Sequence, residues 1–402
     1  MFKRFLATLC IVLIALPVLA QEFPDGLQKE YYDDGQLKAE KTYKNNKLNG
    51  SFRQHYQDGK LLSVGSYVDG RLEGPYKSYY ENGNVFLEQN FVNGLQHGVS
   101  KEYYENGNLK SSESYRFDNL EGKCKYFYDD GRPKYDLEFL NGQLNGESRE
   151  YNQMGSLTSV VYYRDNELNG EAREYTESGT LYAIWNYEHG QKEGVSKIFH
   201  DNGQPEWVLT FKDGEINGPG KKYSRTGVLM LEAEYKANQY HGLVKEYFDT
   251  GHLKSEIYYK EGVKGGASKE YYPTGKVMLE WAYKDGDKQG LAREYKEDGT
   301  LWIEVTYDKG KQNGQMREYY PNGNIKKVSE VVNGIQAGPS KSFYEKGQLM
   351  SEENYRNGKP DSDVRIYLEN GNLAYIDTYQ DGVRVKRKGF DGRGKQDFEQ
   401  SY

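Results

Sequence analysis

The sequence predicts an all-β fold: an elongated single-sheet array of about fifteen β-hairpin repeats of 24 residues each. Three observations carry that expectation. Glycine recurs without loss of register at Gly35, Gly59, Gly83, Gly107, Gly131, Gly155, Gly179, Gly203, Gly227, Gly251, Gly275, Gly299, Gly323, Gly347 and Gly371. The flanking text reads as a hairpin, as in Tyr31-Tyr32-Asp33-Asp34-Gly35-Gln36-Leu37, because Asp-Gly or Asn-Gly between strand-like runs supplies the positive φ of a tight turn. The chain also holds 39 tyrosines and 14% aromatic residues while being only 36% hydrophobic. That is too aromatic for disorder and too polar for a thick layered core.

Residues 1–20 differ from all that follows. Lys3 and Arg4 precede the apolar run Phe5 to Leu16 and then Pro17-Val18-Leu19-Ala20, the pattern of a signal peptide cleaved after Ala20; a retained anchor is the alternative. The expected location is the periplasm, the outer envelope or the extracellular space, and the mature chain is not expected to be integral to a membrane. Cleavage takes Lys3 and Arg4 from 54 basic residues, leaving 52 against 61 acidic ones, a net charge of −9. A nucleic-acid partner is therefore not expected. Cys124 becomes the sole cysteine, so no internal disulfide can form and stability must come from repetition.

Residues 21–382 form the repeat array. A two-residue turn at Asp34-Gly35 would set Tyr32 opposite Leu37, whereas a three-residue loop with a left-handed Gly35 sets Tyr31 there. The Tyr31 column is aromatic in every repeat but that of His55, and the Tyr32 column drifts to Asn152, Thr176, Ser224 and Lys296, which favours the longer loop. From Leu37 the strand is expected to run through Ala39 and Lys41 to Tyr43 with one face aromatic and aliphatic, and the Glu40 face mostly wet. A second glycine column, from Gly26 to Gly338 and lapsing at Ser362, suggests a second turn around Asn46-Lys47-Leu48-Asn49-Gly50. Two strands per repeat give an array on the order of 140 Å long.

A further column is wholly basic: Lys29, Arg53, Lys77, Lys101, Lys125, Arg149, Arg173, Lys197, Lys221, Lys245, Lys269, Arg293, Arg317, Lys341 and Arg365. It lies two residues before the Tyr31 column and is expected to share its face. One reading is structural, with the alkyl stems covering tyrosine rings and nearby acids neutralising the row. The other is a positive rail for acidic peptides, anionic lipid headgroups or an anionic envelope polymer. Trp185 and Trp281 share the parity of the Tyr43 column, so the candidate binding face comprises Arg149, Tyr151, Arg173, Tyr175, Trp185, Lys197, Phe199, Lys221, Tyr223, Lys245, Tyr247, Lys269, Tyr271 and Trp281. Residues 383–402 open with Val383-Arg384-Val385-Lys386-Arg387-Lys388 and read as a basic C-terminal tail or cap, guarding the last strand edge or docking on an anionic surface.

At Tyr103-Tyr104-Glu105-Asn106-Gly107-Asn108-Leu109-Lys110 and Tyr355-Arg356-Asn357-Gly358-Lys359 the chain resembles the bacterial variant of the MORN repeat, whose long members are often labelled YwqK-type antitoxin proteins. The resemblance covers nearly all of residues 26–382. It implies a sheet of successive hairpins with an aromatic-lined groove, used for protein contacts and in some relatives proposed for phospholipid contact. It brings no catalytic residues.

Chemistry is not expected elsewhere. None of His55, His97, His189, His200, His241 and His252 is spaced for metal ligation on a helix, and carboxylates recur in columns where an active site would be a local departure from the period. The glycines are accounted for by turns. The sequence thus predicts a non-catalytic exported scaffold, without cofactor or metal, binding a protein partner or anionic envelope surface. An antitoxin or immunity-like protein acting on an envelope toxin is the alternative, and a carbohydrate-active enzyme a distant third.

Overall fold

The computed structural model describes residues 23–402, so the signal peptide expected at residues 1–20 lies outside the described residues. The chain divides into two compact units, Met1–Leu168 with Glu177–Gly179, and Asn169–Thr176 with Thr180–Tyr402. Among the described residues there are 40 strands and no helix. Each unit is an open antiparallel sheet in which successive strands pair in chain order. In the first, Gly26–Tyr31 pairs with Leu37–Lys44, which pairs with Lys47–His55, which pairs with Leu61–Val68. In the second, Lys311–Tyr319 lies between Leu301–Asp308 and Ile325–Val332 in the same way. Short strands such as Arg71–Leu72 and Gly74–Tyr79 are two pieces of an arm that runs unbroken elsewhere, as in Lys47–His55.

The first turn of each repeat is a three-residue loop. Tyr32 N donates to the Gln36 carbonyl at 2.8 Å and Gly35 N to the Tyr32 carbonyl at 2.9 Å, with Gly35 at φ 86° and Tyr31 opposite Leu37. The second turn lies elsewhere than expected. It is a two-residue turn at Asn45-Asn46, both left-handed at φ 52° and 60°, closed by Lys44 facing Lys47. Two positive φ values in succession match the right-handed strand twist, and later repeats meet the need with Asp69-Gly70 or Asn93-Gly94. Gly50 is outside this turn, in an irregularity of the returning strand at φ 117°.

A bulge corrects the expected distribution of side chains. Tyr31 faces Leu37 but Glu30 faces Ala39, leaving Lys38 without a partner and reversing the alternation. Lys29, Tyr31, Leu37 and Glu40 therefore share one face, here called the cation face. Gln28, Glu30, Ala39, Lys41 and Tyr43 share the other, the ring face. The Tyr31 and Tyr43 columns, expected together, lie on opposite sides of the sheet.

The core is the ring face. Ala39, Ser63, Ser100, Cys124, Ala172, Ala183, Ser196, Ser268 and Ser340 are almost fully buried because larger rings from adjoining strands lean over them. Phe52 meets Tyr67 at 5.0 Å between ring centroids, and Tyr235, Tyr240 and Tyr259 run on at 5.0 and 5.3 Å. Alternating small and large side chains give close packing on a one-sided sheet.

Successive repeats are tied at both turn edges. Where the Tyr32 column keeps its tyrosine, the hydroxyl donates to a carbonyl one repeat onward: Tyr32 to His55, Tyr56 to Tyr79, Tyr80 to Tyr103, Tyr104 to Phe127 and Tyr128 to Tyr151, at 2.6–2.9 Å. At the other edge Gly70 N reaches the Leu48 carbonyl at 2.7 Å and Gly94 N the Leu72 carbonyl at 2.9 Å. The last residues are a further hairpin rather than a tail. Val383–Phe390 pairs with Leu373–Gln380 and with Gln396–Ser401, and its loop glycine, Gly394, comes one residue early for the column. Its basic run is largely neutralised: Arg387 makes a two-pronged contact with buried Asp377 at 2.6 and 2.7 Å, and Lys386 pairs with Glu399.

Candidate binding face

On the cation face the basic column forms a row across the strands, with one residue between each pair of cations. In the second unit the register reads Arg173, Ile184, Lys197, Val208, Lys221, Glu232, and later Lys245, Glu256, Lys269, Glu280, Arg293, Glu304. Cross-strand neighbours on one face meet directly, so the intervening residue decides what each cation does.

Where it is glutamate, the cation is engaged. Lys221 lies 2.9 Å from Glu232, Lys269 2.9 Å from Glu280, Arg293 2.9 Å from Glu304, and Lys245 4.0 Å from Glu256. Three of these glutamates accept a hydroxyl from the next repeat's Tyr31 column: Tyr271 to Glu256 at 2.7 Å, Tyr295 to Glu280 at 3.0 Å and Tyr319 to Glu304 at 2.7 Å. The Lys269 bond, with Tyr295 adding to it, holds the Glu280 carboxyl below the usual glutamate range. Burial pulls Glu304 upward, but Tyr319 and Arg293 outweigh it and its carboxyl is also held low. Burial, then the bond to Glu256, pushes the Tyr271 hydroxyl up to about 12. Each such glutamate is a three-way tie between repeats, and the structural reading of the basic column holds there.

Where it is aliphatic, the pattern breaks. Lys197 lies between Ile184 and Val208 and makes no ion pair among the described residues. Arg173, opposite Ile184, turns along its own strand to Glu171 at 2.6 Å. In the first unit Arg149, opposite Val160, turns to Glu147 at 2.6 Å, and the Tyr151 hydroxyl reaches Asp136 at 3.4 Å. Arginine follows the aliphatic partner in Arg53 with Val64, Arg317 with Val328 and Arg365 with Ile376 as well. A planar, weakly hydrated guanidinium lies over an aliphatic side chain more readily than an ammonium does. Tyr175, Phe199, Tyr223 and Tyr247 flank the row on the same face as the Tyr31 column requires.

Trp185 and Trp281 do not join this face. Trp185 is paired with Ala172 and Trp281 with Ser268, on the ring face, because the bulge separates their parity from that of Arg173 and Lys269. Each indole is covered by a lysine seven residues on: Lys192 Nζ lies 3.1 Å from the Trp185 ring centroid and Lys288 Nζ 4.2 Å from that of Trp281. Burial pushes the Lys192 amine below its ordinary value. Trp281 belongs to an apolar cluster with Ala292 and Val305, beside a hollow of about 140 Å³. The paired Trp and Lys substitutions were readable from the columns, since both repeats change together.

Several histidines serve the edges. His200 takes the place of a Tyr32-column tyrosine, its Nε2 3.0 Å from the Tyr223 carbonyl, and His252 Nδ1 lies 2.7 Å from that of Pro273. Among the described residues no three His, Cys, Asp or Glu side chains are grouped to hold a metal, and no helix is long and apolar enough to cross a membrane.

No protein of curated function is similar enough to the chain to count as a match. Solved structures are aligned over most of it at low similarity. The TcdB2-TccC3-Cdc42 crystal structure is 12% identical, covering 93% of this chain and 26% of that one, with a TM-score of 0.16. The Photorhabdus luminescens Tc holotoxin pore, in a mutant form, is 13% identical over 92% of this chain and 24% of that one, also at 0.16. The chain spans about a quarter of the length of these structures. The model of the MORN repeat variant matches residues 24–45, 72–93, 96–116, 120–141, 168–189, 240–261, 264–285, 288–309, 312–333, 336–357 and 360–381, more than half of the chain. The chain, a repeat scaffold of antiparallel hairpins, belongs to the MORN repeat variant family.

Proposed function

We propose that the chain is an exported, non-catalytic scaffold that holds a protein partner against the cation face of its second unit, at Arg173, Lys197 and Lys221. The observation that carries this reading is the replacement of the intervening glutamate by Ile184 and Val208, which leaves Lys197 unpaired beside apolar surface. Solvent-accessible cations next to aliphatic and aromatic side chains suit an acidic protein surface, which desolvates them on docking, and the charge also raises its rate of encounter. Tyr175, Phe199 and Tyr223 add rigid amphipathic contact area at small entropic cost.

The test is capture from envelope extracts by the mature chain and by a variant carrying Arg173→Gln, Lys197→Gln and Lys221→Gln, with Lys192→Gln and Lys288→Gln on the opposite face as control. The reading expects a defined protein to be retained by the parent and the control and lost from the triple variant. Equal retention by all three chains contradicts the assigned face. Retention of lipid or peptidoglycan without a defined protein contradicts the partner class. A small toxic protein as the sole captured species would place the chain among antitoxin-like proteins.

A further inference from the structure

The spacing of the row from Arg173 to Lys221, in which Lys197 has no ion pair among the described residues and Arg173 and Lys221 are each bridged on one side only, restricts the shape of what it binds. Arg173, Lys197 and Lys221 occupy one register line, each two strands from the next. Strands lie about 4.8 Å apart, so the cations repeat every 10 Å or so. Tyr175, Phe199 and Tyr223 follow two residues on, forming an aromatic line with the same repeat beside the charged one. Ile184 and Val208 fill the gaps between cations.

Of the regular backbones an extended segment adopts, one matches. A β-strand presents side chains to one side every second residue, about 6.7 Å apart, and its third residue points the opposite way. A polyproline II helix rises about 3.1 Å per residue with three residues per turn, so every third side chain falls on one line about 9.3 Å apart. Such a segment needs no internal hydrogen bonds, loses little entropy on binding, and can set one of its other edges against the aromatic line. Its charge is set by the row, which has three cations and no intervening carboxylate before Glu232.

The geometry points to an acidic polyproline II segment, with a carboxylate at every third residue, as the element of the partner that lies across the strands at Arg173, Lys197 and Lys221. This rests on the face assignment made above and adds the conformation and period of the ligand. From Lys245 to Arg293 the row excludes such a segment, because each of those cations has a glutamate on both sides.

The experiment is fluorescence anisotropy of labelled peptides against the full exported chain. The probes are a six-fold repeat of Glu-Pro-Pro, a six-fold repeat of Glu-Pro-Pro-Pro with equal charge, and a six-fold repeat of Lys-Pro-Pro. The protein variant is Ile184→Glu with Val208→Glu, which installs the carboxylates that Glu232 and Glu256 place in later repeats and so suits the fold. The inference expects the three-residue acidic repeat to bind at least tenfold tighter than the four-residue one, the basic repeat not to bind, and the variant to lose at least tenfold in affinity. If both acidic peptides bind alike and both are weakened by the variant, the face stands and the periodic ligand is wrong. If neither responds to the variant, the face assignment fails with it. Variant-sensitive binding to phosphatidylglycerol vesicles, with no peptide bound, overturns the proposal in favour of a membrane.

Discussion

The basic row of the second unit has two regions that differ by one residue per repeat. From Lys245 to Glu304 each cation faces a glutamate that also accepts a tyrosine hydroxyl from the next repeat. From Arg173 to Val208 the same positions hold Ile184 and Val208, and the cations turn elsewhere or stay unpaired. A column that is invariant in charge across the chain therefore meets two environments, and the residue opposite it sets which. Uniformity of the basic column marks the repeat; within the second unit, consecutive aliphatic lapses in its partner column, at Ile184 and Val208, mark the candidate site.

The largest effect should come from cutting a tie in the neutralised region. Glu304→Ala strands Arg293, Arg317 and the Tyr319 hydroxyl around a buried position, and is expected to destabilise the second unit by about 1–3 kcal/mol. Urea unfolding checks it; a change below about 0.3 kcal/mol would reduce the glutamate column to a solvated face. Next is Tyr344→Phe, which removes the 2.8 Å hydroxyl bond to the Tyr367 carbonyl and should cost about 1 kcal/mol. The same measurement at Phe248, which has no hydroxyl to lose, provides the comparison: Phe248→Tyr should cost nothing and can add a tie.

Smaller still, and opposite in sign, is Val208→Glu. It places a carboxylate beside Lys197 and Lys221 and should stabilise by about 0.2–1 kcal/mol while weakening any acidic ligand. Loss of stability here would mean that Val208 is packed rather than left vacant for a partner. Acid titration reads the neutralised region as a whole. The folded-state carboxyls of Glu280 and Glu352 lie below the ordinary glutamate value, so their contribution is complete above that value and is lost as pH falls through the lowered one. At the basic end, Tyr271 ionises at about 12 when folded and near 10 unfolded, so its contribution is full below pH 10 and fades as pH rises toward 12. Tyr271→Phe should flatten that alkaline loss.

The sequence made the period, the hairpins and the three-residue loop legible, because glycine at a left-handed position and the steady Tyr31 column leave a strong signature. It did not reveal which columns share a face. The bulge at Lys38 is occupied by Lys38, Leu62, Phe86 and Trp302 alike, so no residue type marks it, yet a single unpaired residue moves Tyr43 and the tryptophans to the other side. The second turn sits earlier than expected because Asn45-Asn46 meets with asparagine the need that Gly70 and Gly94 meet later, while the steadier Gly50 column marks an irregularity of the returning strand four residues beyond Asn46. For the candidate site, the basic and Tyr31 columns share a face as read, but Trp185 and Trp281 do not; the signal for the uncompensated stretch was present as Val160, Ile184 and Val208 interrupting the glutamates.

The division of one basic column into engaged and available cations is tested most directly by competitive acylation of the folded chain, with each lysine's reactivity read by mass spectrometry at neutral pH. Lys197 should react faster than Lys221 and Lys269, whose ammonium groups are held by Glu232 and Glu280 and shifted above their ordinary values. Equal reactivity along the column would contradict the account, since the row would then be a uniform solvated face with no distinct stretch for a partner to find.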